Sequence, residues 1–226
     1  MTQNAEISLS DEAAHYLRNV IRKTEGDSLR LFNGRDGEWQ AVLSALSKKQ
    51  AVVHIERQLR SQPLTPSKTQ LIFALIKPAR MDMLIEKAVE LGATDFHPVL
   101  TQYTDIRKLN ETRLYRQIIE AAEQCERLDV PSLHPLADLK STVADWPFDF
   151  KITACLERTE SGNLKDIIGT TTHHAFLVGP EGGFSAEEVD FLRHRENVVP
   201  VTFGPDILRA ETAGIFAVAA KKLLNS

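Results

Sequence analysis

The sequence predicts an α/β protein, a parallel-sheet domain preceded by a small β-rich domain. Three observations carry that expectation. From residue 68 onward, strand-like and helix-like stretches alternate. Two of the last strand–helix units are joined by glycine loops built to one plan. Before residue 61, short strands follow one another with turn residues between them.

In the front part, Ser10 followed by Ala13, Ala14, Leu17, Val20 and Ile21 has helical spacing, with Ser10 as the N-cap. After Gly26 and Asp27 the pattern turns to strands, over residues 29–32, 38–46 and 50–55, with Asn33 and Gly34 as a turn. Such spacing suggests a small β-barrel or sandwich. Pro63 and Pro66 mark a linker, so residues 1–67 and 68–226 are expected to form separate domains.

In the second part, residues 70–76 form a continuous apolar run suited to a central parallel strand. Lys77 and Pro78 stop it. Met81, Leu84, Ile85, Ala88 and Leu91 then make a helical stripe closed by Gly92. Residues 95–100 return as a strand, Asn110 caps a helix to about residue 128, and residues 150–156 form another strand. Strands at 175–178 and 198–203, each followed by a helix, complete a sheet of five or six strands.

The stretch at 175–178 breaks into Gly179, Pro180, Glu181, Gly182 and Gly183, and Ser185 with Glu188 then reads as a capping box. Strand, bare-backbone loop and capped helix make a small-molecule site at the carboxyl edge of a sheet. The second loop, 203–209, repeats the plan ahead of a helix from about Glu211. No Gly-Lys-Ser/Thr follows the first loop, and its glycines lack dinucleotide-fold spacing. Without lysine or arginine it offers backbone groups, which suits a nucleoside-like or cationic ligand better than a triphosphate. Arg209 and Glu211 are candidates for an anion holder and a proton acceptor; ordinary dipole compensation would equally place a glutamate there.

Composition describes an ordinary soluble chain: 226 residues, 42% hydrophobic and 26% charged, with no apolar run long enough to span a bilayer. Cys125 and Cys155 lack metal-ligand spacing and read as free thiols of a cytoplasmic protein. The seven histidines form no ligand motif, and adjacent His173 and His174 would point apart, so no metal is expected. The net charge of -4 hides a first part, residues 1–68, with ten Lys+Arg against eight Asp+Glu. Arg18, Arg22 and Lys23 on the first helix, with Arg80 and Lys87 on one face of a later one, could line a groove for phosphates. So could the run Arg107, Lys108, Arg113 and Arg116, although such runs are usually solvated faces.

Specific short patterns add to this reading: His15-Tyr16-Leu17, Val20-Ile21-Arg22, Gly26-Asp27, Lys77, Arg80-Met81 through Lys87, Glu90-Leu91-Gly92, residues 120–125 with Arg127, and above all residues 177–184 and 207–213. In these the chain resembles, over nearly its whole length, the RsmE family of small-subunit ribosomal RNA methyltransferases. The resemblance implies a SPOUT-type domain with a carboxy-terminal trefoil knot behind a PUA-like RNA-binding barrel. Residue patterns alone give an unknotted doubly wound sheet. It implies S-adenosylmethionine as cofactor and N3 of a 16S ribosomal RNA uridine as methyl acceptor. It also implies a homodimer whose partner completes each site, acting on RNA of the small subunit; no membrane or metal partner is expected from the residues above.

Cofactor contacts are expected from Leu156, Val178, Gly179, Pro180, Glu181, Gly182, Gly183, Phe203, Gly204, Ile207, Leu208, Arg209, Thr212 and Ala213. RNA contacts are expected from Arg18, Arg22, Lys23, Arg80, Lys87 and Arg127. For catalysis, Arg209 would meet charge developing on the uracil oxygens and Glu211 or Glu181 would take the N3 proton. The chain departs from the family's second loop at Phe203, in place of leucine, and at Asp206, in place of arginine. That reversal of charge gives some support to an alternative, a non-catalytic RNA-binding or ribosome-assembly protein keeping the fold.

Overall fold

The structure, a computed structural model, describes residues 1–63, 68–147, 150–156, 162–164 and 174–225. The chain divides into two compact units, Met1–Leu64 and Thr65–Ser226.

In the first unit, β1 (Glu6–Leu9), β2 (Ser28–Leu31), β3 (Glu38–Leu46) and β4 (Ala51–Arg60) form an antiparallel sheet in the order β1-β4-β3-β2. Helix α1 (Asp11–His15) starts where expected, the Ser10 hydroxyl accepting the Ala13 N–H at 3.2 Å. It then widens into a single π-helical turn, Tyr16–Val20, and Arg22 leaves it with φ 55°. Ala14 and Leu17, three apart, are buried with Leu29, Leu43, Val53 and Ile55. Strand β1 was not expected from the sequence. Glu6, Ile7, Ser8 and Leu9 do alternate, but four residues are too few to stand out from a polar terminus.

The second unit is built on a parallel sheet. Its long strands are β5 (Thr69–Ala74), β6 (Asp95–Leu100), β9 (Lys151–Cys155), β11 (His174–Val178) and β12 (Val198–Thr202). The two-residue strands β7 (Ser132–Leu133), β8 (Ala137–Asp138) and β10 (Gly162–Asn163) extend its margins. The order is β10-β12-β9-β11-β5-β6-β7, with β8 also on β6. Strands β5 and β11 are central and buried at every residue, which is why their sequences run apolar without alternation.

Helices cover both faces. On one, α2 (Pro78–Glu90), α3 (Glu111–Gln124) and α6 (Ala210–Asn225) pack on Leu71, Phe73, Phe96 and Phe176. On the other, α4 (Leu139–Ala144) and α5 (Ala186–Arg193) pack on Ile72, Ile152, Ala175 and Leu177. Helix α2 ends at Gly92, φ 100°, with Ala93 N–H on the Ala88 carbonyl at 2.9 Å and Gly92 N–H on that of Val89 at 3.1 Å. Helix α3 was expected to reach residue 128 but stops at Gln124. Glu126 takes the left-handed conformation there, φ 55°, and Arg127 N–H closes on the Ala122 carbonyl at 3.0 Å. A glutamate in the position usually held by glycine gave no stop signal. Among the described residues, no helix is long and apolar enough to cross a membrane.

Candidate active site

Because the sheet pairings are parallel, the segments leaving β5, β9, β11 and β12 emerge at one edge. There they enclose a cavity of about 510 Å³. Its walls come from the two glycine loops, from Cys155 at the end of β9, from Arg80 in the first turn of α2, and from Ala210 and Ala213 at the start of α6.

The first loop needs its glycines for separate reasons. Gly183 has φ 72°, a conformation that L side chains rarely adopt. A Cβ on Gly179 would stand 3.0 Å from the Phe184 ring, and one on Gly182 would stand 3.1 Å from Cβ of Tyr103. The following helix starts as predicted: Ser185 Oγ accepts the Glu188 N–H at 3.2 Å, and Glu188 returns a carboxylate oxygen to the Ser185 N–H at 2.9 Å. Glu181, also on the wall, accepts the backbone N–H of Lys77 at 3.3 Å.

Of the expected cofactor residues, Val178, the loop from Gly179 to Gly183, Ile207, Leu208, Arg209 and Ala213 line the cavity. Leu156, Phe203, Gly204 and Thr212 are not on its wall. Leu156 is 2% exposed, its N–H spent on the Val201 carbonyl, and Phe203 packs on Phe216. Cys155, Phe184 and Val189 take places on the wall that sequence reasoning did not give them. Asp206 is exposed and off the wall, so the reversed charge does not enter the cavity.

Arg80 and Glu211 depart most from expectation. Arg80, expected on an RNA-binding face, lines the cavity, and its Nη1 lies 3.4 Å from Glu211 Oε1. Glu211, expected as a proton acceptor, is 6% exposed and off the cavity wall, behind Arg80. Its second oxygen, Oε2, is buried with no hydrogen-bond partner among the described residues.

The remaining expected RNA contacts fare differently. Arg18 and Arg22 are exposed, and Lys23 Nζ donates to the Ser28 carbonyl at 3.3 Å. Lys87 sits between Glu86 and Glu90, at 2.7 and 2.8 Å, and hydrogen bonds to both carboxylates hold its pKa above the usual lysine value. Arg127 is committed inside the domain. Its Nη1 donates to the Val89 and Ala93 carbonyls, both at 2.8 Å, and its Nη2 meets Asp129 at 2.7 Å.

One polar cluster was invisible in the sequence. Asp95, His97 and His134 bring one possible ligand atom each within 4.8 Å of one another, on a different strand segment from the glycine loops. In this structure these atoms already have partners: His97 Nε2 meets Gln70 Oε1 at 2.8 Å and His134 Nε2 meets Asp95 Oδ1 at 3.3 Å. The two imidazoles stack at 3.8 Å.

Comparison with known proteins fits this architecture. Residues 63–222 match the RNA methyltransferase domain family, and residues 9–56 match the RNA methyltransferase PUA domain family. A ribosomal RNA small subunit methyltransferase E from Rickettsia conorii is 34% identical over 229 residues, covering 100% of this chain and 93% of the relative. The chain belongs to the methyltransferase E family. A member from Bacillus subtilis is 28% identical, with 94% of this chain and 88% of the relative covered. The methyltransferase E from Neisseria gonorrhoeae, solved bound to S-adenosylmethionine, superposes with a TM-score of 0.88 at 28% identity, over 99% of this chain and 94% of that one. A protein from Legionella pneumophila, solved with the same cofactor, gives 0.87 at 30% identity, covering 99% and 93%. The chain thus has the SPOUT parallel sheet with a PUA-like unit preceding it in the sequence, as expected.

Proposed function

We propose that this protein transfers the methyl group of S-adenosylmethionine to N3 of a uridine in small-subunit ribosomal RNA. The observation that carries the reading is the cavity itself. Its two loops offer bare backbone amides and carbonyls, and among the described residues Arg80 and Arg209 are its only lining cations. Backbone groups suit an adenosine, and the sulfonium is better served by carbonyls and by Glu181 than by lysines. Full-length likeness to a relative solved with this cofactor supports the same assignment.

Transfer breaks the methyl–sulfur bond as N3 bonds to carbon, leaving S-adenosylhomocysteine. The N3 proton leaves to a carboxylate, and charge spreads to the flanking carbonyl oxygens. Glu181, exposed on the cavity wall, is the acceptor that this reading favours, since Glu211 is buried behind Arg80. Exposed Arg18 and Arg22 on the PUA-like unit supply phosphate contacts. The protein works in the cytoplasm as a homodimer, for which the apolar side of α6 is suited: Phe216, Leu223 and Leu224 are 45%, 78% and 57% exposed. Asp206 was the feature behind a non-catalytic alternative, and it stands off the cavity.

The test is incubation with labelled S-adenosylmethionine and small subunits lacking the modification, followed by nuclease digestion and mass spectrometry. Label in 3-methyluridine at one site is the expected result. Cofactor binding without transfer to any RNA would overturn the reading.

A further inference from the structure

Of the two cations that the described residues place on the cavity wall, one is held by a side-chain partner among those residues and one is not. Among the described residues no hydrogen bond or ion pair holds the Arg209 side chain, which is exposed just ahead of α6. Arg80 is fixed from both ends. Its backbone lies in the first turn of α2, behind Pro78, with its N–H on the Lys77 carbonyl at 2.9 Å. Its guanidinium meets Glu211 in the first turn of α6 at 3.4 Å.

The burial of Glu211 gives this pair its direction. A carboxylate with an 8% exposed side chain has lost most of its hydration and is held in place by a cation. Arg80 is that cation, with a side chain still 32% exposed toward the cavity. A guanidinium carries five N–H donors, so one contact to Glu211 leaves others for a ligand. The pair is also neutral as a whole. A lone arginine here would repel the sulfonium of the cofactor, whereas a guanidinium backed by a buried carboxylate offers directed donors without that net charge.

Resting on the methyl-transfer reading, we propose that Arg80 is the catalytic residue that meets the negative charge developing on a uracil carbonyl oxygen, and that Glu211 is its positioning residue. Glu211 accepts no proton from substrate. Its orphaned Oε2 is the second seat for the guanidinium, taken when the substrate draws Arg80 into a two-point contact. Arg209, exposed and held by no partner among the described residues, is less preorganised and contributes less.

The experiment compares Arg80→Gln, Arg80→Lys, Glu211→Gln and the double variant Arg80→Gln/Glu211→Gln with wild type. S-adenosylmethionine affinity is read by calorimetry, and single-turnover transfer to unmodified small subunits is read at saturating cofactor and RNA. Arg80→Gln is expected to slow transfer by about 10²–10³-fold, the usual loss for one preorganised donor, with cofactor Kd within about threefold. Arg80→Lys keeps the charge without the fork and should fall between. Glu211→Gln should slow transfer by about tenfold alone and by nothing further in the Arg80→Gln background. Thermal melts of the same samples show whether each variant is folded. Weakened cofactor binding with an unchanged saturated rate would make Arg80 a cofactor ligand and overturn the assignment. Additive losses in the double variant would overturn the role given to Glu211. A wild-type protein that methylates no RNA would bring down the methyl-transfer reading and this assignment with it; active wild type with equally active Arg80→Gln would bring down this assignment alone.

Discussion

Glu188 Oε1 accepts the backbone N–H of Gln102 at 2.8 Å, across 86 residues of chain. Its other oxygen closes the capping box on Ser185 at 2.9 Å. One buried carboxylate thus ties the segment after β6 to the start of α5, and Tyr103, next in line, lies against Gly182. The first glycine loop is braced from beneath through this residue.

Glu188→Ala should therefore cost more than a lost cap. A buried amide, that of Ser185, and a part-buried one, that of Gln102, lose their acceptor, worth about 1–3 kcal/mol together. Glu188→Gln keeps one oxygen and should cost about half as much. Urea denaturation measures both. Affinity for S-adenosylmethionine should fall with stability as the loop loosens, and an unchanged denaturation midpoint for the alanine variant would show that the tie contributes nothing.

Gly179→Ala and Gly183→Ala should fail differently. The first drives a methyl group into the ring of Phe184, which lines the cavity, and should weaken cofactor binding by about tenfold or more through displaced packing. The second meets no atom within 4 Å but strains a φ of 72°, costing about 1 kcal/mol of stability. Calorimetric titration against thermal melting separates the two. Equal loss of affinity in both would mean that Phe184 is not the relay.

Gly214 sits where α6 crosses α2, and a Cβ there would lie 2.6 Å from Leu84 Cδ1. Leu84 is 1% exposed and has little room to retreat. Gly214→Ala should cost about 1–3 kcal/mol despite its better helix propensity. Adding Leu84→Val removes the clashing atom, so the double variant should recover part of the loss. Additive destabilisation would mean that the clash is relieved elsewhere.

Signals that act within a few residues were legible in the sequence. Ser10, Asn110 and Ser185 cap the helices expected of them, because a cap and the amide that it accepts are neighbours in the chain. Gly92 marks the end of α2 for the same reason. What was missed depends on residues far apart. Nothing near Arg80 shows that its partner is Glu211, so a cavity arginine reads like one more cation on a helix face. His97 and His134 become neighbours only through the register of β6 with β7, where Phe96 pairs with Leu133. Glu126 was missed for a local reason: its left-handed turn is closed by backbone hydrogen bonds that no side-chain identity announces.

Arg127 illustrates the same limit and yields a test. Its side chain is 14% exposed and bonded to two carbonyls at the end of α2 and the turn beyond it, and to Asp129. Arg127→Met should cost about 2–4 kcal/mol, since it orphans buried acceptors and a carboxylate. Filter binding of ribosomal RNA by the folded fraction should keep the wild-type salt slope. A slope lower by about one unit would restore Arg127 to the phosphate-contacting set.

The histidine cluster makes stability depend on pH in a predictable sense. Burial pushes the His97 pKa down to about 4, and the adjacent His134 and Lys68 add to that, while Asp95 opposes it. Gln70 and the edge of Trp146 face the ring as uncharged neighbours. The unfolded chain takes up its proton near 6.5, so between there and about 4 it holds more protons than the folded one. Stability contributed by neutral His97 is fully present above pH 6.5, is lost as pH falls through that window, and levels off below about 4. Discounted for the partial exposure of the ring, the loss is about 1–2 kcal/mol. His97→Gln removes the titration, so its stability should fall less steeply than that of wild type between pH 7 and 4.5, by about that amount. Urea titrations at half-unit pH intervals give both curves, and parallel curves would mean that His97 gains its proton in the folded protein as readily as in the unfolded chain.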